Sequence, residues 1–308
     1  MKKLIIAAFA VAAVAGCMKQ ENAVENEGTP ITVKAGFSVT AETKAMNADG
    51  SAFAKGNDDF RICAYGGSDL ESSVLYDNIF DHQVDWNAMD SKYHLTPGKF
   101  YPVNGDNLYF YAFWPQSASQ ENTGTRASAA ATFTLDGNQD IIYAKDETGY
   151  SKTGDGQPNL QFSHKMTCIE FYVIAGEGFA EDAILNSISV LGQPNSAKMT
   201  ISNGTIAYTG SAAYSKSNLN VSIPASDEEA VKAATMFISP NQSDNKFSIS
   251  VVAGDNTFNN VEVGLVPNDG TLEGVKYKVT LTFKAKEIIP TATILPWVPG
   301  EDVDVDIQ

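Results

Sequence analysis

Three histidines (His82, His94, His164) and three cysteines (Cys17, Cys63, Cys168) are the side chains best suited to metal binding or nucleophilic chemistry in this 308-residue chain. Their spacing argues against both. His82 in FDHQVDW and His94 in KYHL have no histidine or cysteine partner at the interval a tetrahedral zinc site needs. Both are expected in solvated or hydrogen-bonded loops. His164 in FSHKM is expected to be structural, its ring N–H groups satisfying backbone carbonyls. Serines are plentiful, but no Gly-x-Ser-x-Gly elbow occurs. TPGKF has a Gly-Lys pair without the upstream glycine or the following Ser/Thr of a phosphate loop. Asp136-Gly137-Asn138-Gln139-Asp140 mimics the start of a calcium loop, and Glu147 stands at its twelfth position. Ile141 replaces the glycine that the sharp turn requires, which argues against calcium. No catalytic residue, metal or cofactor is expected.

Cys17 is different, because it stands where apolar sequence gives way to polar sequence. Lys2 and Lys3 precede an apolar run from Leu4 to Gly16. As a helix this run would rise about 20 Å, short of a hydrocarbon core of about 30 Å. It therefore reads as the h-region of a signal peptide. Val14-Ala15-Gly16-Cys17 resembles a bacterial lipobox. That resemblance implies cleavage between Gly16 and Cys17, thioether lipidation of Cys17 and acylation (palmitate) of the new N-terminus. Each buried CH2 contributes about 0.8 kcal/mol, so more than one chain anchors firmly. The other two cysteines sit in strand-like FRICAY and MTCIEF, and the sequence leaves open whether they are buried thiols or a disulfide. The formal charge of −16 becomes more negative once Lys2 and Lys3 are removed. An excess of carboxylates repels phosphate backbones, so nucleic acid is excluded as a partner.

The elements that would position these residues are strands. Residues 17–30 are polar and aperiodic, a flexible linker after the signal peptide of residues 1–16. From Ile31 the apolar period is two: Ile31, Val33, Ala35, Phe37 and Val39 share one face. Similar runs recur through NLYFYAF, ATFTL, IEFYVIA, KFSISVVA and KYKVTLTFKA, separated by clusters such as VNGDN, LDGNQ and VPNDG. The best helical candidate, Ser226 to Ala234, spans one or two turns with Ser226 as N-cap. The chain is all-β, with strands enough for two tandem sandwiches. The turn-rich stretch Thr148 to Asn159 divides residues 31–155 from residues 156–308.

Two segments have faces that bear on partners. In NLYFYAFWPQ, Tyr109, Tyr111 and Phe113 alternate with Leu108, Phe110 and Ala112, so both faces are apolar and the strand is expected to be covered on its outer side. The competing reading is a sugar-stacking platform of Tyr109, Tyr111 and Trp114, with Trp86 and Trp297 as core or rim anchors. The ending EDVDVDIQ places Asp302, Asp304 and Asp306 opposite Val303, Val305 and Ile307, a solvated face over a buried one.

Taken in order, several segments resemble the fimbrillin-like (Mfa-like) family, subunits of the lipoprotein-derived type V pili of Gram-negative anaerobes. The lipobox is followed by an acidic linker and ITVKAGFSVTAETKA, then DDFRICAYGG and YHLTPGKFYPVNGDNLYFYAFWPQ. QDIIYAKDE, LQFSHKMTCIEFYVIAG with its Phe-x-His, MFISPNQ, EGVKYKVTLTF and ILPWVPGEDVDVDI complete the series. The resemblance implies two transthyretin-like β-sandwich domains and a lipid-anchored precursor at the outer membrane. It implies a fimbrium assembled from other pilus subunits by β-strand complementation, after proteolysis removes the first strand. Here that strand is Ile31 to Val39, and the cations after it are Lys44 and Lys55. Arg61 already lies in the next strand. The best-studied members are cut after arginine, and this segment contains none. Lysine cleavage and an uncleaved anchor or tip role with host or bacterial surface ligands both remain open. So does a surface lipoprotein that binds glycans for nutrient capture through exposed aromatics.

Overall fold

A computed structural model describes residues 28–37, 60–154, 156–180 and 183–296. The first strands are β1 (Thr32–Phe37), β2 (Arg61–Gly67), β3 (Val74–Leu75), β4 (His82–Asn87), β5 (Lys92–Thr96), β6 (Asn107–Trp114) and β7 (Ser119–Glu121). β8 (Ala130–Thr134), β9 (Ile142–Tyr150), β10 (Asn159–His164), β11 (Thr167–Ala175), β12 (Ile184–Gln193), β13 (Ser196–Thr200) and β14 (Ile206–Thr209) follow. The chain continues through β15 (Ala212–Ser222), β16 (Val231–Ile238), β17 (Lys246–Ala253), β18 (Asn256–Gly264), β19 (Lys276–Phe283) and β20 (Ile288–Leu295). Among the described residues there is no α-helix, and no helix is long and apolar enough to cross a membrane. The helical expectation for Ser226–Ala234 fails. One turn forms, with the Glu228 amide bonded to the Ala225 carbonyl at 3.1 Å. Val231 then enters β16 opposite Val173 of β11. The tertiary ladder overrides local helix propensity there.

An eight-stranded sheet runs β3-β2-β4-β5-β1-β10-β9-β6, and β2 also pairs with β6. Apart from the two-residue β3, its strands thus close into a ring. Inside lies one hydrophobic cluster that includes Ile31, Val33, Phe60, Ile62, Val84, Leu108, Phe110, Leu160 and Phe162. Strand β6 is buried on both sides, as its sequence requires. Leu108, Phe110, Ala112 and Trp114 face the ring interior, whereas Tyr109, Tyr111 and Phe113 belong to a second cluster outside it. A four-stranded sheet, β14-β13-β8-β7, supplies that outer cover, with Phe133 edge-on to Phe113 at 5.6 Å.

The remaining strands form two sheets, β16-β11-β19-β20 and β15-β12-β17-β18. Their inner faces meet through ring contacts such as Phe171 with Phe247 and Phe258 with Phe283. Strand β11 is parallel to β19, and both are rich in buried apolar side chains. The β13–β14 hairpin is an excursion between β12 and β15, which pair with each other. It crosses to β8 in a ladder from Ser196–Thr134 to Thr200–Ala130. At its tip the Tyr143 hydroxyl donates to the Ile201 carbonyl at 2.6 Å. Gly204, at φ 69°, lies so close that a Cβ would stand 2.4 Å from the Tyr143 ring. Two ladders, β1–β10 and β8–β13, therefore span the turn-rich stretch around residue 155.

Candidate functional site

Alternation makes β1 a strand with one apolar face, and the ring interior gives that face somewhere to go. Ile31 and Val33 are fully buried in the ring core and Ala35 is half-buried against it. Burying two such branched side chains contributes about 1.5–3 kcal/mol each. Phe37 ends the strand, paired in register with Phe162. Val39 lies outside the described residues, as do Gly16, Cys17, Lys44, Lys55, Trp297 and the acidic ending from Asp302 to Asp306.

The two walls hold β1 in opposite senses. On one side it is antiparallel to β5, at Thr32–His94 and Val33–Tyr93. That wall continues past β5: the Ile31 amide donates to the Lys99 carbonyl at 2.8 Å, and the Tyr101 amide to the Thr29 carbonyl at 2.9 Å. On the other side β1 is parallel to β10, from Lys34–Asn159 to Phe37–Phe162. There the Lys34 amide donates to the Pro158 carbonyl at 2.8 Å, and the Gln157 side-chain amide to the Thr32 hydroxyl at 2.8 Å. The floor is aromatic, with Phe60 edge-on to both Tyr93 and Phe162 at 4.9 and 5.0 Å. Without β1 the slot would present unpaired carbonyls and amides on both walls above an apolar floor. Such an edge is a template for another strand.

The residues with chemical potential are dispersed into structural bonds. His82 and His94 lie on β4 and β5, which pair as a hairpin, and not in the loops expected for them. The period-two signal there is present but short, with Val84 and Trp86 on β4 and Tyr93 and Leu95 on β5 as its apolar positions. His94 contacts the Asp90 carboxylate at 2.7 Å, and His82 the Pro97 carbonyl at 3.0 Å. His164 is buried against Asp140, whose other oxygen accepts the Met166 amide at 3.3 Å. Burial pushes the Asp140 carboxyl pKa up, with His164 opposing it. Asp136 turns back on Asn138, and Glu147 is taken by Tyr111, Lys145 and Arg126. Among the described residues no group of three His, Cys, Asp or Glu side chains converges as a metal site. Cys63 and Cys168 are free and buried in one core cluster, where burial pushes both thiols well up from their ordinary value.

The aromatic platform does not form. Tyr109, Tyr111 and Trp114 are all buried, and Trp114 points into the ring while the tyrosines point out of it. Successive strand residues face opposite sides, so this trio cannot share a surface. Trp86 is half-buried and stacks edge-on against Tyr93 at 5.0 Å, a rim position. What the residue-by-residue reading missed is the far wall: Leu160 and Phe162 of β10. Their alternation in NLQFSH is legible, but their partnership with β1 is not.

Comparison with known proteins bears on what such a slot belongs to. The fimbrillin-like family model matches residues 43–297, a span that begins after β1. A fimbrial protein of Bacteroides vulgatus superposes with a TM-score of 0.58 at 17% identity, over 87% of this chain and 99% of that one. A Bacteroides uniformis protein assigned to cell adhesion gives 0.55 at 16% identity, over 87% and 98%. One from Bacteroides ovatus, assigned likewise, gives 0.55 at 17% identity, over 89% and 99%. At these identities the superpositions establish a shared fold. A search of curated proteins gives no match. The match over most of its length settles the kinship: the chain belongs to the fimbrillin-like family, whose members are fimbrial proteins rather than enzymes.

Proposed function

We propose that this protein is a structural or adhesive subunit of a cell-surface fimbria, exported as a lipoprotein on Cys17 and assembled by exchange of β1 for a strand of a neighbouring subunit. The observation that carries this reading is the place of β1 in the ring. It is the first strand among the described residues, yet it sits between β5 and β10, bonded to both. Its loss opens the ring at one point and leaves the rest of the strand order intact. An incoming strand with the same alternation would restore both the ladders and the buried contacts. The lipid on Cys17 would deliver the precursor to the outer membrane, and a cut at Lys44 or Lys55 would release β1 with its anchor.

Limited digestion of the folded precursor with a trypsin-like protease tests this. Mass spectrometry should show loss of the chain up to Lys44, accompanied by polymers on native gels. Monomers that persist after complete cutting there would overturn assembly by exchange.

A further inference from the structure

The wall that β10 provides is fastened by a side chain where a ladder bond would be expected. Among the described residues, β9 and β10 pair only at Ser163–Tyr143 and His164–Ile142, at the far end of β10. Residues 159–162 are in register with β1 instead. The amides and carbonyls of a strand point alternately to its two neighbours. The Pro158 carbonyl points to β1 and accepts the Lys34 amide, while the Asn159 amide points the other way, toward β9. Strand β9 has left register there: its ladder to β6 jumps from Phe110–Asp146 to Leu108–Tyr150, with Gly149 at φ 84°. Bulges of this kind re-aim a side chain. Here the re-aimed group is the Asp146 carboxylate, whose Oδ2 accepts the Asn159 amide at 2.9 Å. The Tyr150 hydroxyl donates to the same oxygen at 2.7 Å and the Thr148 amide to Oδ1 at 3.1 Å. Partial burial alone would raise the Asp146 carboxyl pKa, but these donors hold it below its ordinary value.

We propose that Asp146 is a positioning residue for strand capture: it pins the leading end of β10 to β9 independently of β1, so that the emptied slot keeps its width for a strand from a second subunit. This rests on β1 being the exchangeable strand. Without the pin, the backbone of residues 159–162 would be bonded to β9 only beyond its far end, at Ser163 and His164, with Leu160 and Phe162 held by packing alone, and its leading end would fray when β1 leaves.

The test uses the full chain with a site-specific protease sequence inserted after Lys44, cut after folding, with the β1 fragment then removed by gel filtration in sub-denaturing urea so that the slot is empty. A fluorescent synthetic peptide spanning Thr29 to Val39 is held at low concentration and titrated with the emptied chain, and its uptake is followed by anisotropy, well below the melting temperature. The parent chain should take up the peptide, and Asp146→Ala should weaken uptake about tenfold, the effect of losing hydrogen bonds to a charged group. Asp146→Asn, which keeps an acceptor for the Asn159 amide, should recover most of the affinity. Equal affinity in the parent and Asp146→Ala would overturn the positioning role and leave the exchange reading standing. A failure of Asp146→Asn to recover would overturn it too, by marking a general loss of stability. No uptake by the parent chain would overturn the exchange reading itself, and this inference with it.

Discussion

His164, the last residue of β10, turns its Nδ1 onto Oδ2 of Asp140, just ahead of β9, and the two side chains are only 1% and 0% exposed. The contact ties the end of β10 to the chain entering β9, and the adjacent Lys165 amide donates to the Ile141 carbonyl at 2.8 Å. A buried carboxylate that loses its partner is left poorly solvated. His164→Ala is therefore expected to cost about 3 kcal/mol, read as a lowered urea midpoint with an unchanged slope. Asp140→Asn should cost less, because it removes the buried charge and leaves a neutral amide facing His164.

Glu170 on β11 offers a second buried carboxylate, held by Lys232 at 2.8 Å and Lys276 at 2.9 Å. Burial raises its carboxyl pKa, but the two ammonium groups outweigh burial and hold it below its ordinary value. A depressed folded pKa contributes stability above the unfolded value of about 4.3, and loses it as pH falls through the folded value. Glu170→Gln should lower stability at pH 7 by about 2 kcal/mol, and the difference from the parent should shrink as the pH falls below 4. Urea titrations at stepped pH would show the two curves converging.

At the tip of the β13–β14 hairpin, Gly204 leaves no space for a Cβ beside Tyr143 and has a backbone that L side chains rarely adopt. Gly204→Ala should cost about 2 kcal/mol or more. Tyr143→Phe removes only the bond to the Ile201 carbonyl and should cost about 1 kcal/mol. Thermal melts of the two variants would rank them in that order.

In the slot itself, Val33 is fully buried in the ring core, in register with Tyr93 of β5. Val33→Ala should cost about 1–2 kcal/mol, and Val33→Asp more, because an unpaired carboxylate would enter an apolar floor. In a chain cut between β1 and β2, Val33→Asp should release the β1 fragment, detected by gel filtration. A fragment that stays bound would contradict the burial described for it.

The two-sided apolar run of β6 shows how far the sequence reaches. NLYFYAFW announces a strand covered on both faces, and Phe113 against Phe133 with Phe110 in the ring bears this out. It does not announce what covers it, because β8 and β13 come from opposite sides of the turn-rich stretch near residue 155. Strand β1 is equally legible from Ile31 and Val33. Its second wall is not, since Lys34 and Asn159 are distant in sequence and no local pattern links them. His82 and His94 stand in HQVDWN and KYHLT, where Val84, Tyr93 and Leu95 do alternate as strand residues, but each run is only five or six residues long and carries few apolar side chains among polar ones. Asp146 carries no signal at all: its value comes from a bulge, which is a property of the paired strands and not of the segment DETG.

The hairpin that leaves the second pair of sheets to join β8 also has a mechanical meaning. Tension applied between the two ends of this chain would not fall on the single connection at residues 151–158 alone. The ladder from Ser196–Thr134 to Thr200–Ala130 forms a parallel path for the force, closed at its tip by Tyr143 and Ile201. Pulling apart the portions of the chain before and after that connection then requires the bonds of this ladder to break together.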